Sequence, residues 1–176
     1  MSKVNASDLE AAIRNVPDFP KPGIQFKDIT PVLGDAALFA GSIDLLAAHH
    51  ADSRIDAVVG IDARGFIFAA AAARQLNTAF VPIRKKGKLP HKTIEENFSL
   101  EYGEDTVAIH EDALKSGARV LLLDDLLATG GTAAAAAKLV YKVGAEIVEI
   151  GFLIELSFLN GREKLNGHPI HSVITY

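Results

Sequence analysis

At 176 residues, with 49% hydrophobic and 23% charged side chains, the chain has the makeup of one ordinary globular domain with a full-sized core. A net charge of −4 argues against nucleic acid as the main partner, because neutralising phosphates calls for a basic surface. Without cysteine there is no disulfide and no thiolate chemistry, and any metal must be held by oxygen or imidazole.

The first ten residues, MSKVNASDLE, lack the apolar core of a signal peptide, and no uncharged apolar run approaches membrane-spanning length. A cytoplasmic protein with no membrane partner is the expectation. Ser7 and Glu10 have capping-box spacing ahead of a short helix through residues 11–15, with an earlier start left open. Residues 19–35, FPKPGIQFKDITPVLGD, carry too many prolines and glycines for a regular element and are expected to form a loop anchored by Ile24, Phe26 and Ile29. Helical periodicity returns over residues 36–50 through Leu38, Phe39, Ile43, Leu46 and Ala47.

From there strands and helices alternate. Residues 55–61 read as a buried strand, DARG as a turn, 66–76 as an alanine-rich helix and 79–83 as the next strand. Residues 84–96 are polar and basic and are expected to be a mobile loop, followed by a hairpin of 98–102 and 106–110 around Gly103. A third strand at 119–123, a helix at 133–143, a strand at 147–154, a short turn or helix at 159–165 and a last strand at 170–174 complete the chain. Continuous apolar strands separated by helices imply an α/β fold, a mostly parallel sheet covered on both faces. Ligands in such sheets bind beyond the carboxyl ends of the strands, which is where Asp62, Arg84, Asp124 and Asp125 fall.

The densest chemistry is in LLLDDLLATGGT, residues 121–132. In Thr129-Gly130-Gly131-Thr132, glycines let successive N–H groups curl around an anion, and the following helix adds about half a positive charge at its N-terminus. The chain has neither GxxxxGK[ST] nor GxGxxG, so the nucleotide-loop types are excluded. Alone, TGGT fits a glycine-permitted turn into a helix better than an anion site. Two adjacent acids decide the matter, because a carboxylate repels phosphate unless it faces another part of the same ligand. Ribose hydroxyls and hydrated Mg²⁺ are the natural partners of Asp124 and Asp125. The expected ligand is a phosphorylated sugar.

Residues 120–132 resemble the phosphoribosyl diphosphate (PRPP) binding motif of the type I phosphoribosyltransferases. FPKPGIQFKDITPVL and FSLEYG (98–103) are similar to the adenine-specific members, and the likeness extends through GIDARGF, PIRKKGKLP and IELSFLNGREKL. It implies the type I phosphoribosyltransferase fold over a single domain, 1–176, with a small hood from about residues 1–34 and a flexible catalytic loop. The implied enzyme is a pentosyl transferase of purine salvage, turning adenine and PRPP into AMP and diphosphate with Mg²⁺. An oxocarbenium-like transition state and a homodimer are implied as well. A xanthine-type transferase and, more distantly, a PRPP-sensing regulator on the same fold are the rivals.

Each loop then has an expected task. Asp124 and Asp125 bind the ribose hydroxyls, directly or through metal-bound water, close to the developing cation. Ala128, Thr129, Gly130, Gly131 and Thr132 hold the 5′-phosphate. Asp62, Ala63, Arg64, Arg84, Lys85 and Lys88 are the diphosphate candidates, Arg64 foremost because its planar fork bridges two phosphates. The likeness also implies a cis peptide between Asp62 and Ala63. From composition alone the basic cluster fits a solvated loop too, and Lys86 is undecided. Gln25, Phe26 and Lys27 are assigned to adenine, with Phe26 either stacking on the base or anchoring the core, and Leu156 to the pocket's other wall. Hypoxanthine and guanine enzymes carry an acid where this chain has Ala128, so the proton on purine N7 needs another carboxylate. The likeness points to Glu101, with Tyr102 beside it; by spacing alone both fit an exposed hairpin. The histidines form no metal pattern, with His49 and His50 at a helix end.

Overall fold

The computed structural model describes residues 3–100 and 103–176, so the expectations for Glu101 and Tyr102 lie outside the described residues. The N-terminal helix α1, Ala6–Ala12, begins earlier than the serine suggests, because Asn5 is its cap. Asn5 and Asp8 form the reciprocal capping box, at 3.1 and 2.9 Å, and asparagine caps as well as serine.

The expected first loop is in fact structured. β1 (Arg14–Pro17) and β2 (Gln25–Asp28) pair antiparallel, with Arg14 opposite Asp28 and Pro17 opposite Gln25. The turn between them absorbs the breakers: Phe19–Pro20 is cis, and Asp18 and Gly23 have φ of 57° and 86°. Thr30–Gly34 forms the short helix α2, with its proline in the first turn, where no N–H is needed. α3 (Ala36–Ala47), capped by Asp35, ends in a 3₁₀ turn, Ala48–His50.

Seven further strands make one sheet: β3 (Ala57–Ile61), β4 (Ala79–Lys85), β5 (Thr93–Leu100), β6 (Gly103–His110), β7 (Arg119–Leu127), β8 (Glu146–Glu155) and β9 (Ile170–Thr175), in the order β5-β6-β4-β3-β7-β8-β9. The run from β4 to β9 is parallel, and β5 and β6 add an antiparallel hairpin at one edge. That hairpin takes in much of the stretch expected to be a mobile loop, leaving only residues 86–92 between β4 and β5. Its alternation, weak in sequence, is completed by pairing: Thr93 faces His110 and Ile94 faces Ile109.

Two apolar layers cover the sheet. On one face α5 (Gly131–Lys142) packs its alanines with Leu139 and Val140 against Val59, Leu122 and Phe152. On the other, α1, α3 and α4 (Gly65–Gln75) bury Leu9, Leu46 and Phe68 with Val58, Leu121 and Leu123. Among the described residues no helix is long and apolar enough to cross a membrane.

Candidate active site

The carboxyl ends of β3 and β7 converge on a cleft of about 320 Å³ whose walls include Asp62, Ala63, Arg64, Asp124, Asp125 and Ala128. A smaller recess of about 80 Å³, along residues 128–133, shares Asp124 and Ala128 with it. A larger hollow, about 480 Å³, opens at the opposite end of the sheet beside Ala57 and Ala79. On its rim Arg54 and Asp56 pair with each other at 3.5 Å, beside Lys115.

Both acids lie inside β7, which runs four residues beyond its expected end at 123 because ladder pairing to β8 continues as far as Leu127 and Glu155. Asp125 is 5% exposed, and its N–H donates to Asp124 Oδ1 at 2.9 Å. Gly65 lets helix α4 start against this carboxylate, since a Cβ there would stand 2.6 Å from Asp124 Oδ1. Burial and the neighbouring Asp125 charge push the Asp124 carboxyl well above the ordinary aspartate range. Burial also raises Asp125, opposed by the Arg64 guanidinium, whose Nε lies 2.8 Å from Asp125 Oδ2. The pair is poised for cationic or hydroxyl-rich company, and Arg64 supplies some of it.

The phosphate loop needs Gly130 in two ways. Its φ of 77° is left-handed, and a Cβ would fall on the Gly161 carbonyl oxygen. α5 begins at Gly131, two residues before the expected start, so the free N–H groups of its first turn lie within the TGGT sequence itself. Gly161 is the reciprocal contact: a Cβ on it would meet the Ala128 carbonyl oxygen and come within 3.1 Å of the Gly130 nitrogen. The segment bearing Gly161 is pinned by Arg162, whose Nε and Nη2 each donate at 2.7 Å to the two oxygens of Glu155. This pair was not among the expected site residues; an acid ending a strand and an arginine after a glycine are its visible signal.

Asp62–Ala63 is a cis peptide. Arg84, in β4, donates from Nε to Asp62 Oδ2 at 3.1 Å and from Nη1 to the Lys88 carbonyl at 3.0 Å, tying the end of β4 to this turn. Lys85 instead reaches the hairpin, 3.0 Å from Asp105, and Lys86 pairs with Glu95 at 2.6 Å. The β1–β2 hairpin stands at the cleft's edge: the Phe26 ring has the Arg64 guanidinium 5.4 Å from its centre and Phe19 edge-on at 5.1 Å. Phe26 is half-buried. The Lys27 ammonium is engaged by Asn15 at 2.7 Å, and Gln25 is exposed. Leu156 follows β8, and its N–H donates to the Leu127 carbonyl at 2.9 Å, next to Ala128.

A doubly covered parallel sheet with paired acids, a glycine cradle and an arginine at the strand ends defines a protein that grips a phosphorylated sugar, and the family model of the phosphoribosyl transferase domain matches residues 32–168. The adenine phosphoribosyltransferase of Solibacter usitatus is 54% identical over 169 residues, 96% of this chain and 98% of that protein. The solved adenine phosphoribosyltransferase of Thermoanaerobacter pseudethanolicus superposes with a TM-score of 0.93 at 50% identity, covering 98% of this chain and all of that one (100%). The Saccharomyces cerevisiae enzyme, complexed with an imino-altritol bisphosphate and adenine, gives 0.92 at 40% identity over 96% of this chain and 97% of its own. The chain belongs to the adenine phosphoribosyltransferase family.

Proposed function

We propose that this chain transfers the 5-phosphoribosyl group of PRPP to N9 of adenine, releasing diphosphate and forming AMP. The observation that carries the reading is the single cleft in which Asp124, Asp125, Arg64 and the loop 128–132 meet, on a chain half identical to adenine phosphoribosyltransferases. The C1–O bond to diphosphate breaks, the N9–C1 bond forms, and the purine gives up its N7 proton.

The 5′-phosphate takes the N–H groups at the start of α5, and the small size of Ala128 leaves room beside them. Ribose hydroxyls replace Arg64 as the partners of Asp125, and Asp124 lies beside it, so negative charge faces the ring as it becomes cationic. Arg64, released from Asp125, turns to diphosphate, with the Asp62–Ala63 turn and Arg84 around it. Lys85 and Lys88 are left as secondary cations, Lys85 only after leaving Asp105. Phe26 covers the purine, the backbone of Gln25 and Lys27 reads its edge, and Leu156 closes the far wall. Glu101 is the acceptor for the N7 proton, with Tyr102 beside it, an assignment that rests on the FSLEYG likeness.

The donor set suits Mg²⁺: two carboxylates and no nitrogen or sulfur donors, matching a hard ion that keeps most of its waters and takes its other ligands from substrate oxygens. When bound it neutralises charge on the departing diphosphate.

Calorimetric titration tests the base pocket. AMP is expected to bind and to compete with PRPP, whereas XMP binds at least about tenfold more weakly, because the site would leave the extra purine carbonyls unpaired. XMP binding tighter than AMP would turn the assignment to the xanthine-type enzymes.

A further inference from the structure

A second cluster of metal-ligating side chains stands away from the cleft, on the sheet face covered by α3. His49 and His50, in the 3₁₀ turn that ends α3, bring their Nε2 atoms to 3.0 and 3.1 Å from one oxygen, Glu149 Oε1. The three donor atoms lie within 4.8 Å of one another. Glu149 sits opposite Leu121 in the ladder, three residues of β7 ahead of Asp124, or about 10 Å of strand. The histidine spacing by itself gives no metal pattern; the third possible ligand comes from a hundred residues away in the chain.

The approach of Glu149 is built rather than incidental. Ile147 pairs with Val120 and packs in the α5 layer, so regular alternation would send Glu149 into that same layer. A register shift between Val120 and Leu121 leaves Val148 as an extra residue in β8. The bulge turns Glu149 to the opposite face, opposite Leu121 of the α3 layer and within reach of both imidazoles. A carboxylate there, only 16% exposed, needs compensation. His50 is 7% exposed, while His49 is 43% exposed and leaves a route from solvent.

We propose that His49, His50 and Glu149 form a second metal site, selective for a divalent transition ion of the zinc class. Two imidazoles and one carboxylate favour such an ion over Mg²⁺ or Ca²⁺. Tetrahedral ligands at about 2.0–2.2 Å from Zn²⁺ stand roughly 3.3 Å apart, close to the two histidine–glutamate distances already present, so that a small turn of the imidazoles would complete the set. Water takes the open position on the His49 side. The His171 ring, edge-on to His49 at 5.0 Å, walls the cluster, with its Nε2 at 3.1 Å from the Leu45 carbonyl. The bound ion ties the end of α3 to the middle of β8.

The test is a Co²⁺ titration of metal-free, tag-free protein followed by visible absorption, with Mg²⁺ in excess to occupy the cleft acids, and then displacement by Zn²⁺. One equivalent is expected to develop a ligand-field band that Zn²⁺ removes, and Zn²⁺ is expected to raise the melting temperature. Glu149→Gln and His49→Ala should each weaken binding at least tenfold. His49 is exposed enough that its variant keeps the fold should Glu149→Gln not. A His91→Ala control, which breaks the other histidine pair (His91 and His110, rings 6.0 Å apart), should leave binding unchanged. No stoichiometric band, or a band that survives His49→Ala, would overturn the site and leave the cluster a hydrogen-bonded hub.

Discussion

Asp124 carries opposing demands. Its carboxyl is held well above the ordinary aspartate range by burial and by Asp125, so the native state binds more protons than the unfolded chain as pH rises past 3.8. Stability of the unliganded protein therefore falls as pH climbs through the interval between the unfolded and folded values. Asp124→Asn removes that penalty and keeps an oxygen for the Asp125 N–H. We expect the variant to melt above the parent at neutral pH and about level with it below pH 3.8, by calorimetry across the range. Its turnover should fall by at least about 100-fold, as when an electrostatic stabiliser is lost. Glu155 has the opposite sign: Arg162 first, against burial, draws its carboxyl below the ordinary 4.5. Its contribution is present above that pH and is lost as pH falls through the lower folded value. Glu155→Gln should cost roughly 2 kcal/mol at neutral pH in a denaturant melt, less than a fully buried pair because the Arg162 side chain is 47% exposed. These pairings were the least legible part of the sequence. Arg64 stands in the cleft wall, yet nothing in DARG says that it spans from the start of α4 to Asp125.

At the scale of elements, the phosphate loop is shaped by its neighbour as much as by its own glycines. Gly161 allows the segment after β8 to press on Ala128 and Gly130. Gly161→Ala should displace that loop, raising KM for PRPP by about tenfold or more while kcat changes less, and steady-state kinetics would show it. Equal losses in both would mean that the contact acts on the transition state instead. The apolar runs of β3, β7 and β8 were plain from sequence because buried parallel strands need continuous hydrophobicity. β1 and β2 were not, since prolines and glycines mark breaks whereas strand pairing is decided by partners elsewhere in the chain. The bulge at Val148 has no signature either; it follows from fitting β8 to β7 and α3 together.

For the whole molecule, the sheet order places every group of the cleft at one end, and the covering helices leave that end open. The alternation of strands and helices was enough to read this arrangement; what it could not convey was how far the hairpin β5–β6 extends the sheet at its edge. Because Ala128 provides no acid, Glu101→Gln should slow turnover by about 100-fold with adenine affinity largely kept, measured by rapid quench and by calorimetry. An unaffected rate would leave the N7 proton to another base. The central claim, adenine as the acceptor, is tested most directly by incubating the protein with Mg²⁺, PRPP and adenine, hypoxanthine, guanine or xanthine in turn, and resolving the products by chromatography. AMP and an equal amount of diphosphate from adenine, with little or no IMP, GMP or XMP from the others, is the predicted result; XMP formed while AMP is absent would contradict it.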